Sequence, residues 1–189
     1  MDLTFVLTGT RPLIMHNARL SNPLDPHTQR LAKITKKRGK TIEDHREVAR
    51  LEWEGSLYHD AESGIHVPAA NVERSLLDAA RMFKLGTKVQ RGLFVTSDAM
   101  PLDIGDQRSA GQIIDDENFR LVASVKVGQQ RVMRCRPCFR SWSITGTVYL
   151  DESQIEPDQL RQIMDTAGRL VGLGDWRPRY GRFSAEVSA

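Results

Sequence analysis

Apolar positions in this chain recur at two spacings, and the switches between them mark out the elements. Leu3 to Thr10 (LTFVLTGT) alternates as a strand, with Gly9 and Pro12 marking its end. Residues 11 to 28 hold Pro12, Asn17, Asn22, Pro23, Asp25 and Pro26 and read as an irregular loop. A short helical pattern follows at Thr28 to Ile34. Beyond the turn Lys36-Lys37-Arg38-Gly39-Lys40, Thr41 is an N-cap with Asp44 at the third helical position. That helix is expected to reach about Glu54, with Ile42, Ala49 and Trp53 among its apolar positions. Leu57 to Asp60 and Ile65 to Val67 flank Ala61-Glu62-Ser63-Gly64 as a hairpin.

Pro68 suits a first helical turn, and Val72, Leu76, Ala79, Ala80 and Phe83 then fall on one face. Gly92 to Thr96 is a short strand, followed by an acidic connection to about residue 118. Phe119 to Val127 and Ser141 to Leu150 both have strand character. Pro157 opens a second amphipathic helix carrying Leu160, Ile163, Met164, Ala167, Leu170 and Val171, which Gly172-Leu173-Gly174 stops. Tyr180 to Val187 is a final strand. Strand, insertion, helix, strands, helix, strand is the split βαβ order. It predicts one α+β domain over residues 1–189, a ferredoxin-like, RRM-like βαββαβ antiparallel sheet with helices on one face. A basic helical insertion at residues 11–56 follows the first strand.

Composition narrows the class. Hydrophobic content of 40% and charged content of 27% are ordinary for a globular chain. No apolar run approaches the ~20 residues of a membrane helix. Met1 to Phe5 lacks a basic start and apolar centre and reads as a strand, so the expectation is a cytoplasmic protein with no membrane partner. Two cysteines provide no disulfide framework. The net charge is +3, yet the charges segregate. Arg30 to Arg50 and Arg120 to Arg140 are basic, whereas Asp98 to Glu117 is acidic, which suggests one surface that faces a polyanion and another that does not.

Three groups of residues are candidates for binding nucleic acid. The turn residues Lys36, Lys37, Arg38 and Lys40 can contact phosphates without sequence preference. Arg131, Arg134, Arg136 and Arg140 form a second group. In an extended strand the last three share one face at a rise of ~3.3 Å per residue. Pro137 assigns that strand to an edge or a bulge. The third group lies in Gly172-Leu173-Gly174-Asp175-Trp176-Arg177-Pro178-Arg179-Tyr180-Gly181-Arg182-Phe183. There Trp176 and Tyr180 offer faces for base stacking, and Arg177, Arg179 and Arg182 offer planar cations for phosphates.

A first strand ending in a Pro-containing loop, the segment Ile65-His66-Val67-Pro68-Ala69-Ala70-Asn71-Val72 opening a helix, and a late Tyr180-Gly181-Arg182 step together resemble the RAMP superfamily. That superfamily includes the backbone subunits of CRISPR effector complexes, which serve antiviral defence. The chain also looks like small phage-encoded proteins sharing the late motif. The resemblance implies RNA binding along a basic face, head-to-tail oligomers or filaments, and a place as a subunit of a larger ribonucleoprotein. Larger members carry tandem folds of this kind, whereas 189 residues accommodate one.

The sequence therefore points to a non-catalytic protein that binds single-stranded nucleic acid, RNA before DNA, without a cofactor. Cys135 and Cys138 form a C-x-x-C with no second pair, and His16, His27, His45, His59 and His66 do not sit at metal-ligand spacing. Two alternatives are a metal-independent endoribonuclease of the same superfamily and a self-assembling protein that binds no nucleic acid. The first would require a general acid and base that spacing does not bring together.

Overall fold

The computed structural model describes residues 1–188. Its strands are β1 (Asp2–Gly9), β2 (Leu13–Ile14), β3 (His59–Asp60), β4 (Gly64–Pro68), β5 (Leu93–Val95), β6 (Ala99–Pro101), β7 (Arg120–Val127), β8 (Gln130–Phe139), β9 (Ser143–Leu150) and β10 (Phe183–Ser188). The helices are α1 (Pro26–Thr35), α2 (Ile42–Ser56), α3 (Ala69–Met82), α4 (Gly86–Gly92), α5 (Ala110–Ile113) and α6 (Pro157–Thr166). The chain is thus α+β, and it divides into two compact units. The first comprises Met1–Leu13, His59–Gln107 and Arg140–Ala189; the second comprises Ile14–Tyr58 and Arg108–Phe139. The helical insertion expected at residues 11–56 overlaps Ile14–Tyr58 of the second unit, while residues 11–13 fall in the first.

In the first unit a four-stranded sheet has the order β10–β1–β9–β5, with every pairing antiparallel. Period-2 alternation buries Leu3, Phe5 and Leu7 of β1 and Ile144, Val148 and Leu150 of β9. The helical spacing of α3 buries Val72, Leu76, Ala79 and Ala80, and α6 buries Leu160, Ile163 and Met164. In sequence, α3 lies between β1 and β5, and α6 between β9 and β10. Beyond α6 the chain widens into a π turn at Ala167–Val171, closed by Gly172 N–H donating to the Ala167 carbonyl at 2.7 Å. Its backbone rests on β10 so closely that a Cβ on Gly168 would lie 2.1 Å from the Phe183 carbonyl oxygen. A smaller sheet, β3–β4–β6, contains the expected hairpin around residues 61–64.

The second unit holds β7, β8 and Ile14 of β2, in a sheet of order β2–β8–β7, and the helices α1 and α2. Thr41 and Asp44 form the expected capping box of α2, and Asp25 caps α1 with Pro26 in its first turn. Trp53 of α2 is buried and donates from its indole nitrogen to the Phe119 carbonyl at 2.8 Å. Ile42, expected among the apolar positions, is exposed instead because it occupies the first turn, ahead of the buried stretch that begins at Leu51. Two strand assignments differ from expectation. The Phe119–Val127 segment does not join the four-stranded sheet but pairs with β8 as a hairpin. β8 is a middle strand, between β2 and β7, where an edge or bulged strand was expected from Pro137. Proline lacks only the donor, and its carbonyl still accepts from Met15 N–H at 3.3 Å.

Candidate nucleic-acid interface

The glycine-rich segment after the π turn is a knuckle of the first unit, closed by backbone hydrogen bonds. Gly172, Gly174 and Gly181 have φ of 81°, 73° and 70°, the left-handed region that glycine enters without strain. Leu173 N–H donates to the Gly181 carbonyl at 2.8 Å, closing the loop on itself, and Gly181 N–H donates to the Pro12 carbonyl at 2.8 Å. The buried Ser75 hydroxyl of α3 donates to the Gly172 carbonyl at 2.9 Å.

On this frame the Trp176 and Tyr180 rings stand 6.1 Å apart at 52°, and the Arg179 guanidinium lies 5.9 Å over the Tyr180 ring. Trp176 takes φ of 53°, a conformation that bulky side chains rarely adopt. Arg177 reaches Asp78 of α3 at 3.5 Å, and Arg182 Nε donates to the Pro178 carbonyl at 2.8 Å. Arg179 is exposed, whereas Trp176 and Tyr180 are half-buried. A groove of about 540 Å³ runs along Met82, Leu170, Val171, Trp176 and Pro178, beside the Asp78–Arg177 pair. Met82 and Leu170 are 56% and 49% exposed and give the open groove an apolar side, while Asp78, Asp175 and Arg177 give it a charged one. Leu170 was expected in the core; the π turn displaces it from the buried stripe of α6.

The arginine row on β8 is not formed as expected. Arg136 is 8% exposed, and its guanidinium reaches the Ser56 hydroxyl at 3.4 Å and the Cys135 carbonyl at 3.3 Å. Arg134 is ion-paired at 2.5 Å with Glu52 of α2. The physical reason is that α2 packs on β8 and fixes both arginines to one helix. Arg140 follows β8 and is exposed, and it belongs to the first unit. Arg131 is exposed near the hairpin turn, directly opposite Lys126.

The basic turn before α2 is presented as expected. Lys36, Lys37 and Arg38 are exposed and Lys40 is half-exposed. Lys37 is committed to Asp44 at 2.6 Å, and Lys40 donates to the Lys37 carbonyl at 3.1 Å. The Lys37 hydrogen bond, with that from Thr41 N–H, holds the Asp44 carboxyl below its usual range. The charge segregation seen in sequence is partly neutralised in space. Asp115 pairs with Arg50 and Arg120, Asp116 pairs with Arg108, and Arg30 pairs with Glu47.

Cys135 and Cys138 are buried and form no disulfide. Burial pushes the Cys135 thiol up, away from the thiolate that metals and redox chemistry use. Among the described residues no group of three or more His, Cys, Asp or Glu is placed to hold a metal ion. No helix is long and apolar enough to cross a membrane.

No protein-family model matches the chain, and no curated protein matches it. One aromatic pair escaped the sequence reading. Phe94 of β5 and Tyr149 of β9 stack at 4.8 Å and 23°, on the sheet face opposite the buried Leu93 and Val95. Its signal was the outward position of Phe94 between two inward residues, which is legible only once β5 is paired to β9.

Proposed function

We propose that this chain is a non-catalytic protein that binds single-stranded nucleic acid, RNA before DNA, and multimerises along its ligand in the cytoplasm. The observation that carries this reading is the Trp176–Tyr180 ring pair with Arg179 over it, held on a backbone-bonded knuckle beside an open groove. Stacking faces and a planar cation at one point suit bases joined by phosphates. The ferredoxin-like plan, in which the fourth strand pairs the first, the first the third and the third the second, accounts for the order β10–β1–β9–β5 with α3 and α6 as its two helical connections. That plan is the one implied by the resemblance to RAMP-superfamily subunits.

Labelled single strands of RNA and DNA incubated with the pure protein in chelator provide the test. Retention of intact strands, with more copies bound as the strand lengthens, is the expected result. Cleavage of the RNA would select the endoribonuclease reading, and retention of no strand at low salt would end both.

A further inference from the structure

Three stretches distant in sequence meet at the end of β1. Gly9 N–H donates to the Trp142 carbonyl at 2.8 Å, and Thr10 and Arg11 N–H both donate to the Arg182 carbonyl, at 2.8 and 3.1 Å. The Trp142 indole nitrogen donates to the Arg11 carbonyl at 2.9 Å, and Gly181 N–H closes onto Pro12. These stretches, residues 9–12, 140–142 and 172–183, carry Arg11, Arg140, Arg177, Arg179 and Arg182 against one acid, Asp175, whose carboxylate accepts from Trp176 N–H at 3.0 Å. Arg177 is engaged by Asp78, and Arg182 by the Pro178 carbonyl. Arg11 and Arg140, by contrast, are exposed. Asp103, which bridges to Ser143, has its carboxylate accepting from Gly105 N–H at 2.8 Å. Cations gathered in excess of the neighbouring carboxylates repel one another and attract an anion.

We infer that Arg11, Arg140 and Arg182 form a phosphate-binding site at the end of β1 that receives the backbone of the strand whose bases meet Trp176 and Tyr180. Its nucleic-acid ligand rests on the function proposed above, while its capacity for a polyphosphate anion does not. The Arg182–Pro178 bond joins this site to the knuckle, so phosphates and bases are read on one continuous backbone frame. Arg11 has no place in any motif of the chain. Its N–H bond to the Arg182 carbonyl and the Trp142 indole bond to its own carbonyl bring its backbone to those two stretches.

The experiment combines Arg11→Gln and Arg140→Gln in one protein, with Arg11→Lys/Arg140→Lys as the charge-keeping control. Tripolyphosphate is the first probe and a labelled single strand the second. The wild-type melting temperature is expected to rise with tripolyphosphate, the Lys variant to follow it, and the Gln variant to lose the rise while melting normally without the anion. With the strand, each lost contact should flatten the dependence of log K on log salt by about 0.7. A Gln variant with the wild-type response to tripolyphosphate and the wild-type slope overturns the site even where the strand binds. A wild-type protein that takes up tripolyphosphate through these arginines but no strand upholds the site and ends the nucleic-acid reading.

Discussion

Glu52 of α2 holds Arg134 of β8 at 2.5 Å, and its second carboxylate oxygen accepts from Cys135 N–H at 2.8 Å. Glu52 is 3% exposed, so one buried side chain ties the helix to both the backbone and a side chain of the sheet. Glu52→Ala should destabilise the protein by about 3 kcal/mol, because it strands Arg134 and a buried N–H. Arg134→Ala should cost about as much, because it leaves the buried Glu52 carboxylate without its counter-charge. Urea unfolding of the two variants measures both. Equal stability of Glu52→Ala and wild type would mean that the pair does not organise this unit. Loss of strand binding in Arg134→Ala is consequently not evidence of contact, whereas the exposed Arg140 carries no such ambiguity.

Gly181 and Gly39 both have positive φ, but only one is enclosed. A Cβ at Gly181 would lie 1.8 Å from the Leu173 carbonyl oxygen, while one at Gly39 would meet nothing within 4 Å. Gly39→Ala is therefore expected to cost about 1 kcal/mol from the left-handed backbone alone. Gly181→Ala should cost more than about 3 kcal/mol and open the knuckle, because backbone must move. Thermal melts of the pair separate the two effects, and matched losses would show that the knuckle yields easily.

The four-stranded sheet and its two helices were legible because their signals are local: alternation in LTFVLTGT, Pro68 and Pro157 at helix starts, and Gly172 at a helix end. The knuckle was legible for the same reason, since its glycines must take positive φ. The second unit was only half legible. Its contacts join residues far apart, as from Trp53 to Phe119, and no local pattern encodes which helix covers which strand. Alternation correctly set Arg134 and Arg136 on one face of β8 but could not say that α2 lies against it. The burial of Arg136 and the arrival of Arg11 beside Arg182 share that cause.

Lys36, Arg38 and Lys40 should be separable from Lys37. The first three changed to Ser should weaken single-strand binding while the melting temperature stays within the scatter expected of surface changes, about 0.5 kcal/mol in stability. Lys37→Ser should in addition loosen the start of α2, because Lys37 holds Asp44 of the capping box. Filter binding and thermal melting on the same preparations test this. Undiminished binding in the triple variant would assign these charges to solvent.

Trp176 distinguishes a binding platform from a structural plug, and its backbone provides the control. At φ of 53° an L side chain carries a conformational cost of roughly 1–2 kcal/mol that glycine does not. Trp176→Gly should therefore fold more stably than Trp176→Ala by about 1 kcal/mol, since both lose the same ring and only alanine keeps the strain. If the ring is a stacking face, both variants should lose about 1–3 kcal/mol of strand binding, whatever their relative stability. If the ring serves only to close the loop against Tyr180, binding should follow stability, and Trp176→Gly should bind better than Trp176→Ala. Chemical unfolding and strand titration on the two variants measure both orders. The arrangement favours the first outcome, because the loop is already closed by the Leu173–Gly181 and Gly181–Pro12 backbone bonds without help from the ring. Normal strand binding by Trp176→Gly would remove the ring from the interface and leave the arginines alone to account for any affinity.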